Sequence, residues 1–154
     1  MTGDRQKRTP TFAARRARHL ALGKRGERLA ARLLRELDIE ILVRNYRAAR
    51  GEIDLVARDG ALLCFVEVKT RRRAVRSRPA DAVGAAKRRS VIRAAHQYLR
   101  EIGSPPVAYR YDIVEVILGG RGTLLMYYWP SAFNEQTEAL SARFPSLVGL
   151  LEDD

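Results

Sequence analysis

Three charged residues in two apolar stretches have the types and spacing of a site that hydrolyses phosphodiester bonds. Asp54 lies in the first stretch, and Glu67 and Lys69 lie in the second. Two converging carboxylates bind a hard divalent cation such as Mg2+ or Mn2+, and a lysine beside them orients water or stabilises charge on a phosphate. Because charges inside apolar strands are costly unless they are paired, the pattern predicts metal-assisted phosphodiester hydrolysis.

A predicted hairpin brings these residues together. Asp59-Gly60 between two apolar runs is typical of a two-residue turn. Such a turn sets residue 54 opposite residue 65, so that Asp54 becomes a diagonal neighbour of Glu67. Lys69 lies on the same face because side chains alternate along a strand.

The prediction depends on the length of the turn. A three- or five-residue loop would move Glu67 and Lys69 to the face opposite Asp54. In the predicted register Glu52 directly faces Glu67, either as a supporting group behind the site or as the partner of an arginine. The alternative for the whole pattern is an exposed edge hairpin whose Glu and Lys are merely solvated.

Length and composition favour one intracellular domain. The chain has 154 residues and a hydrophobic fraction of 46%, enough for a single core. Its apolar runs are too short to span a membrane, and no signal-peptide core follows the basic N-terminus. The single cysteine, Cys64, excludes an internal disulfide and fits a reducing cytoplasm.

The positive charge is concentrated in two segments. The net charge is +11, and residues 1–18 carry +5 while residues 69–93 carry +9. A polyanion, and above all nucleic acid, is the expected partner, whereas a solubilising surface is the alternative. The phosphate-binding candidates are the basic residues that follow the predicted site, namely Arg71, Arg72, Arg73, Lys87, Arg88 and Arg89.

Apolar periodicity predicts a single α/β domain in which a mixed sheet is flanked by helices. The predicted elements are a helix over 19–37, strands over 39–43, 52–58 and 61–70, a helix over 82–102, and strands over 107–118 and 123–129. A strand–helix–strand unit over 61–117 predicts a parallel pair. Residues 1–18 are expected to form a disordered basic arm, residues 19–134 the domain, and residues 135–154 a tail of no assigned role.

This order of motifs resembles the YraN-type family of small bacterial proteins, within the restriction-endonuclease-like fold of the PD-(D/E)xK nuclease superfamily. The resemblance covers roughly residues 19–134. The matching segments are Gly26-Glu27, Arg44-Asn45-Tyr46-Arg47, 51–57 (GEIDLVA), 65–71 (FVEVKTR), Lys87, Ala95 with Tyr98-Leu99, and 111–115 (YDIVE). The resemblance implies an αβββαβ core.

The resemblance also implies roles for individual residues. Asp54 and Glu67 match the metal-binding acids of the superfamily, and Lys69 matches its catalytic lysine. Glu27 matches a helix acid that completes the metal site in archaeal Holliday-junction resolvases. Ile53 stands where the superfamily name places proline.

The expected function is therefore a cytoplasmic, Mg2+- or Mn2+-dependent DNA endonuclease, with a preference for branched, flapped or junction substrates as the finer expectation. The resolvase-like relatives suggest a homodimer, and no membrane association is expected. The alternative is a nucleic-acid-binding module that has kept the nuclease fold without catalysis. RNA remains open as a substrate because phosphate contacts do not distinguish the two sugars.

Overall fold

A computed structural model describes residues 11–72, 83–122 and 124–143. Five strands form one sheet, and three helices accompany it. The elements are α1 (Phe12–Glu36), β1 (Glu40–Ala48), β2 (Gly51–Asp59), β3 (Leu62–Arg71), α2 (Ala85–Glu101), β4 (Tyr109–Leu118), β5 (Leu124–Phe133) and α3 (Glu135–Arg143).

The sheet is mixed, with its strands in the order β1-β2-β3-β4-β5. Neighbouring strands are antiparallel except β3 and β4, which are parallel and are connected through α2. Parallel neighbours need such a crossover because a tight turn cannot join them. The predicted mixed sheet flanked by helices is confirmed, in an arrangement compatible with a restriction-endonuclease-like fold.

A helix covers each face of the sheet. Helix α1 packs Ala30, Ala31 and Leu34 on one face, against a cluster that includes Leu55, Cys64 and Val66. Helix α2 packs Val91, Ala94 and Ala95 on the other face, against a cluster that includes Ile53 and Phe65. Small alanines let both helices approach the sheet closely, so the central strands β2 and β3 are buried between them.

Helix α1 begins earlier than the sequence indicated. It starts at Phe12, where the Thr11 hydroxyl caps the first turn by accepting a hydrogen bond from the Ala14 N–H. Residues 12–18, predicted to belong to a disordered arm, are therefore helical. Alanine and arginine favour helix without an apolar face, and a threonine cap fixes the start. Residues 1–10 of the predicted arm lie outside the described residues.

Strand β5 continues past Pro130, which was predicted to end it. Because β5 is an edge strand, the missing N–H of proline costs no ladder hydrogen bond. The pairing with β4 is irregular at this point, and Ser131 adopts a positive φ of 52°. Its N–H donates to the buried Asp112 carboxylate at 2.9 Å, which anchors the irregular segment.

Residues 135–143, which sequence periodicity left without a role, form helix α3. Glu138 is 3% exposed and pairs with Arg88 of α2. Glu135 accepts hydrogen bonds from the hydroxyls of Tyr111 at 2.7 Å and Tyr109 at 3.2 Å, and lies 2.7 Å from His96 Nε2. Helix α3 is therefore part of the domain, and residues 144–154 lie outside the described residues.

None of the described helices is long and apolar enough to cross a membrane.

Candidate functional site

The hairpin between β2 and β3 turns one residue later than predicted. Asp59 pairs with Leu62, so the turn is Gly60-Ala61. Gly60 takes a φ of 60°, which glycine adopts without steric cost, and glycine at the first central position is typical of a type II′ turn. The predicted turn required Asp59 to take a positive φ as well.

The later turn shifts the pairing of β2 with β3 by two residues. Because side chains alternate with a period of two, each residue stays on the face of the sheet where it was predicted. Residue 54 now comes opposite residue 67 instead of residue 65, and the predicted direct opposition of Glu52 and Glu67 is wrong. The ladder between β2 and β3 ends at the pair Leu55–Val66, just before these acids. Asp54 and Glu67 therefore lie where the two strands separate.

Asp54 occupies the opening between the separating strands. Its Oδ2 accepts a hydrogen bond of 2.7 Å from the Val68 N–H, and so replaces the ladder bond that a backbone carbonyl would have supplied. Burial raises the pKa of Asp54, although the Val68 N–H opposes part of that rise. The sequence places a carboxylate at this position, and the strand separation fixes its orientation.

Glu67 is buried beside Asp54. The residue is 7% exposed, and its Oε2 has no hydrogen-bond partner among the described residues. Burial, followed by the charge of Asp54, raises the pKa of Glu67 to about 9. A pKa in this range favours the protonated form of Glu67 near neutral pH, even with Lys87 nearby.

Glu27 approaches Asp54 from helix α1. Burial raises the pKa of Glu27, the Asp54 and Glu52 carboxylates add to the rise, and the Asn45 side chain opposes it. Gly26 makes this approach possible, since a Cβ there would overlap the side chain of Thr70 on β3. The charge of Asp54 reaches both Glu27 on the α1 side and Glu67.

Lys87, at the first turn of α2, is the cation in contact with the acids. Its Nζ lies 3.0 Å from Glu52 Oε1 and 3.7 Å from Glu67 Oε1. Partial burial favours the neutral amine, but Glu67 and Glu52 outweigh it and raise the pKa of Lys87. Glu52 was predicted either to support the site or to pair with an arginine; in the structure it pairs with Lys87, and its supporting role stays a prediction.

Lys69 lies two residues beyond Glu67 and is exposed. Within the part of the chain that the structure describes, it makes no hydrogen bond or ion pair. The sequence favoured Lys69 as the lysine of the site and gave Lys87 only a phosphate contact. The missed signal is the position of Lys87 at the start of a helix that packs against β2.

The predicted phosphate-binding residues divide into two groups. Arg71 pairs with Glu115 at 3.3 Å, and Arg88 is buried between Glu138 and the Val83 carbonyl. Arg88 therefore connects α2 to α3, and its predicted phosphate contact stays a prediction. Arg72 is exposed and Arg89 half-buried, whereas Arg73 lies outside the described residues.

The acids fit a hard cation with two protein carboxylates. Among the described residues, no three His, Cys, Asp or Glu side chains form a ready-made ligand set. Mg2+, however, is commonly held by one or two carboxylates together with water and substrate phosphate. The unpaired, buried Glu67 Oε2 beside Asp54 supplies the oxygen donors for such an ion.

Two basic cavities lie on the α1 side of the sheet. The first, of about 390 Å³, is lined by Ala21, Lys24, Glu27, Arg28, Arg44, Asn45 and Leu55. The second, of about 420 Å³, is lined by Arg15, Arg18, His19, Leu22, Thr70, Arg71 and Arg72. Sequence reasoning missed Lys24, Arg28 and Arg44; the spacing of residues 24, 27 and 28 on one helical face was the available signal.

The comparisons with known proteins agree on one family. A model described as "Uncharacterised protein family UPF0102" matches residues 26–116. A UPF0102 protein of Symbiobacterium thermophilum is 45% identical over 113 residues, covering 73% of this chain and 96% of that protein. UPF0102 proteins of Nocardia farcinica and Anaeromyxobacter dehalogenans are 45% and 43% identical, covering 70% and 74% of this chain and 85% and 84% of those proteins.

Proposed function

The chain belongs to the uncharacterised protein family UPF0102, and from the acids at its separated strands we propose that it is a metal-dependent DNA endonuclease. The observation that carries the proposal is the pairing of Asp54 with the buried Glu67. Both carboxylates have raised pKa values, first because of burial. Placing a buried acid beside a second carboxylate is unfavourable unless the two bind a ligand, and acids with strongly shifted pKa values concentrate at functional sites.

Asp54 and Glu67 would hold Mg2+ or Mn2+, and Glu27 would add a third carboxylate from α1. The bound cation would polarise the phosphodiester and lower the pKa of a water molecule. The Val68 N–H fixes one oxygen of Asp54. The unpaired Glu67 Oε2 is the second donor that is already in place.

The two lysines would have different tasks. Lys69 occupies the lysine position of the superfamily motif and, being exposed, would reach a bound strand and position the attacking water. Lys87 already contacts Glu67 and Glu52, and it would orient the Glu67 carboxylate. In the hydrolysis, water forms the new P–O bond, the bond to the leaving sugar oxygen breaks, and that oxygen takes up a proton.

The same proposal places the chain in the PD-(D/E)xK superfamily, and the motif order in residues 19–134 supports that placement. A preference for branched, flapped or junction DNA, a homodimeric assembly and a cytoplasmic location belong to the same proposal. The basic charge of the chain supports nucleic acid as the partner.

The rival function is a nucleic-acid-binding module without catalysis. It accounts for the net charge of +11 equally well. It does not account for a buried acid, Glu67, beside the half-buried Asp54, because a phosphate-binding surface gains nothing from carboxylates. The acid pair therefore favours the endonuclease.

The decisive experiment is cleavage of labelled linear, flapped and four-way-junction DNA, and of a matched RNA, in Mg2+ or Mn2+. The wild-type chain is compared with Glu67→Gln, purified in parallel to expose any contaminating nuclease. We expect metal-dependent cleavage that Glu67→Gln abolishes. Binding without cleavage in either metal would show that the chain is a binding module and not an endonuclease. Cleavage of RNA alone would show that the substrate is RNA and not DNA.

A further inference from the structure

We propose that the cavity lined by Lys24, Arg28 and Arg44 seats a backbone phosphate of the nucleic-acid strand that reaches the acid pair. This inference rests on the proposed function and assigns residues outside the basic segment 69–93. The residues come from two elements. Lys24 and Arg28 lie on α1, and Arg44 lies on β1.

The cavity adjoins the acids directly. Arg44 pairs with Leu55 across β1 and β2, so the next residue along β1, Asn45, lies beside Asp54. Neighbouring strands are about 4.8 Å apart, so Asn45, which lines the cavity, is one strand spacing from Asp54. A phosphate in this cavity would therefore lie beside Asp54, with the Leu55 side chain as part of the wall.

The cavity is built by local structure on both sides. On α1, positions 24, 27 and 28 share one face because residues three and four apart are neighbours. On β1, Asn45 has a φ of 51°, a left-handed conformation that asparagine tolerates better than most residues. Its side chain interacts with Glu27, which keeps the only carboxylate of the lining engaged with a neighbour.

The cations of this cavity outnumber its one carboxylate, Glu27. Lys24, Arg28 and Arg44 are exposed, and within the described ranges 11–72, 83–122 and 124–143 none of them is in an ion pair. By contrast, Arg71 and Arg88 are held by Glu115 and Glu138. Three cations against one carboxylate around one cavity favour an anion with several oxygens, and guanidinium groups match phosphate oxygens in pairs.

The test measures binding without catalysis. Anisotropy of a labelled DNA duplex and of a labelled single strand is recorded in EDTA between about 50 and 200 mM salt. The pocket variant is Arg28→Gln/Arg44→Gln. The matched control is Arg32→Gln/Arg35→Gln, which removes the same charge from exposed positions of α1 that do not line the cavity.

We expect the pocket variant to bind roughly tenfold or more weakly, and its salt slope to be smaller by about 1, the value for one lost phosphate contact. The control should lose less than half as much of either quantity. Equal losses in the two variants would overturn the cavity assignment while leaving nucleic-acid binding intact. A wild-type chain that binds neither DNA nor RNA would overturn the proposed function itself.

Inorganic phosphate distinguishes a strand from a free anion. At constant ionic strength, we expect inorganic phosphate to be only a weak competitor of the oligonucleotide for binding to the wild-type chain. If phosphate stabilises the wild type against heat but the pocket variant keeps its full oligonucleotide affinity, the cavity serves a free anion, and the assignment to a strand is wrong. Thermal unfolding of both variants checks that exposed substitutions leave the fold intact.

Discussion

The Oδ2 atom of Asp54 accepts the backbone N–H of Val68 at 2.7 Å, across two strands whose ladder has already ended at Leu55–Val66. A side-chain carboxylate thus takes the place of a strand carbonyl. Strand β2 can therefore separate from β3 while the Val68 N–H keeps a hydrogen-bond acceptor. The same hydrogen bond holds the carboxylate at the opening where Glu67 is buried. Strand separation and site geometry therefore have one cause.

Substitution of Asp54 should separate its hydrogen bond to the Val68 N–H from its charge beside Glu67. Asp54→Asn keeps an oxygen for the Val68 N–H and removes a charge from the pair, so we expect unchanged or higher stability. Asp54→Ala leaves that N–H without a partner and should cost about 1–3 kcal/mol. Urea unfolding measures both; equal stability of the two variants would mean that the hydrogen bond does not hold the strands.

Glu67 should make the chain less stable as pH rises. Its folded pKa of about 9 lies above its ordinary value of 4.5, so between these values the folded state binds more protons than the unfolded state. The free energy of unfolding should then fall with rising pH, by up to about 1.4 kcal/mol per pH unit. Thermal unfolding from pH 5 to pH 9 measures the slope.

Glu67→Gln is the control for that slope. The amide has no proton to lose in this range, so the variant should show a flatter profile and should gain stability relative to wild type at the alkaline end. A wild-type profile that rises from pH 5 to pH 9, or a variant with the wild-type slope, would contradict the assignment of this titration to Glu67.

A divalent cation should stabilise the fold through the acid pair. At a concentration 100-fold above its dissociation constant, Mg2+ or Mn2+ adds about 2.7 kcal/mol, or roughly 5–10 °C in melting temperature for a domain of this size. Binding must displace the proton of Glu67, so the affinity should increase with pH. Thermal unfolding with and without metal checks this, and a shift that persists in Asp54→Asn/Glu67→Gln would place the metal elsewhere.

Gly26 should be essential to the approach of α1, while Gly23 on the same helix should not. A Cβ at Gly26 meets the Thr70 side chain, whereas one at Gly23 meets nothing within 4 Å. Gly26→Ala should therefore destabilise by about 1–3 kcal/mol through overpacking, and Gly23→Ala should stabilise by about 0.5–1 kcal/mol through its better helix propensity.

The double variant Gly26→Ala/Thr70→Ala identifies the clash. It should regain part of the loss, because the Thr70 hydroxyl and methyl are removed while its Cβ stays close. If Gly26→Ala is as stable as Gly23→Ala, α1 has room to move away from β3, and Glu27 is not held beside Asp54 by this contact.

Period-two alternation was enough to predict that Asp54 and Glu67 share a site, because a register shift of two residues preserves every face. It could not supply the register itself, which depends on Gly60 taking a positive φ while Asp59 does not. Pro130 misled in the same way, since whether proline ends a strand depends on which strand lies at the sheet edge. Local pattern gave the elements, and tertiary context decided their ends.

The lysine that contacts the acids in the structure was beyond the reach of sequence spacing. Lys69 is two residues from Glu67, but Lys87 reaches Glu67 from α2, twenty residues along the chain. Only the docking of α2 against β2, where Gly51 lies against Ser90, brings Lys87 to the acids. Residues contributed by a second helix or strand, such as Arg44, were missed for the same reason.

Substitution of the two lysines should give opposite results in stability and cleavage. Lys87→Met keeps an apolar stem but removes the ammonium that contacts Glu67 and Glu52. Without metal it should be less stable by about 1 kcal/mol or less, because the pair is partly exposed. Its metal-induced shift in melting temperature should be larger than that of wild type, because no resident cation remains to be displaced.

Lys69→Met removes an exposed ammonium that contacts no described acid, so its melting temperature should match wild type with and without metal. Its cleavage activity should be lost, because the residue acts only when a strand is bound. Thermal unfolding and cleavage of the same preparations check both lysines. If Lys69→Met cleaves normally and Lys87→Met binds metal but does not cleave, the catalytic lysine is Lys87, and the signature position of the motif has lost its role in this chain.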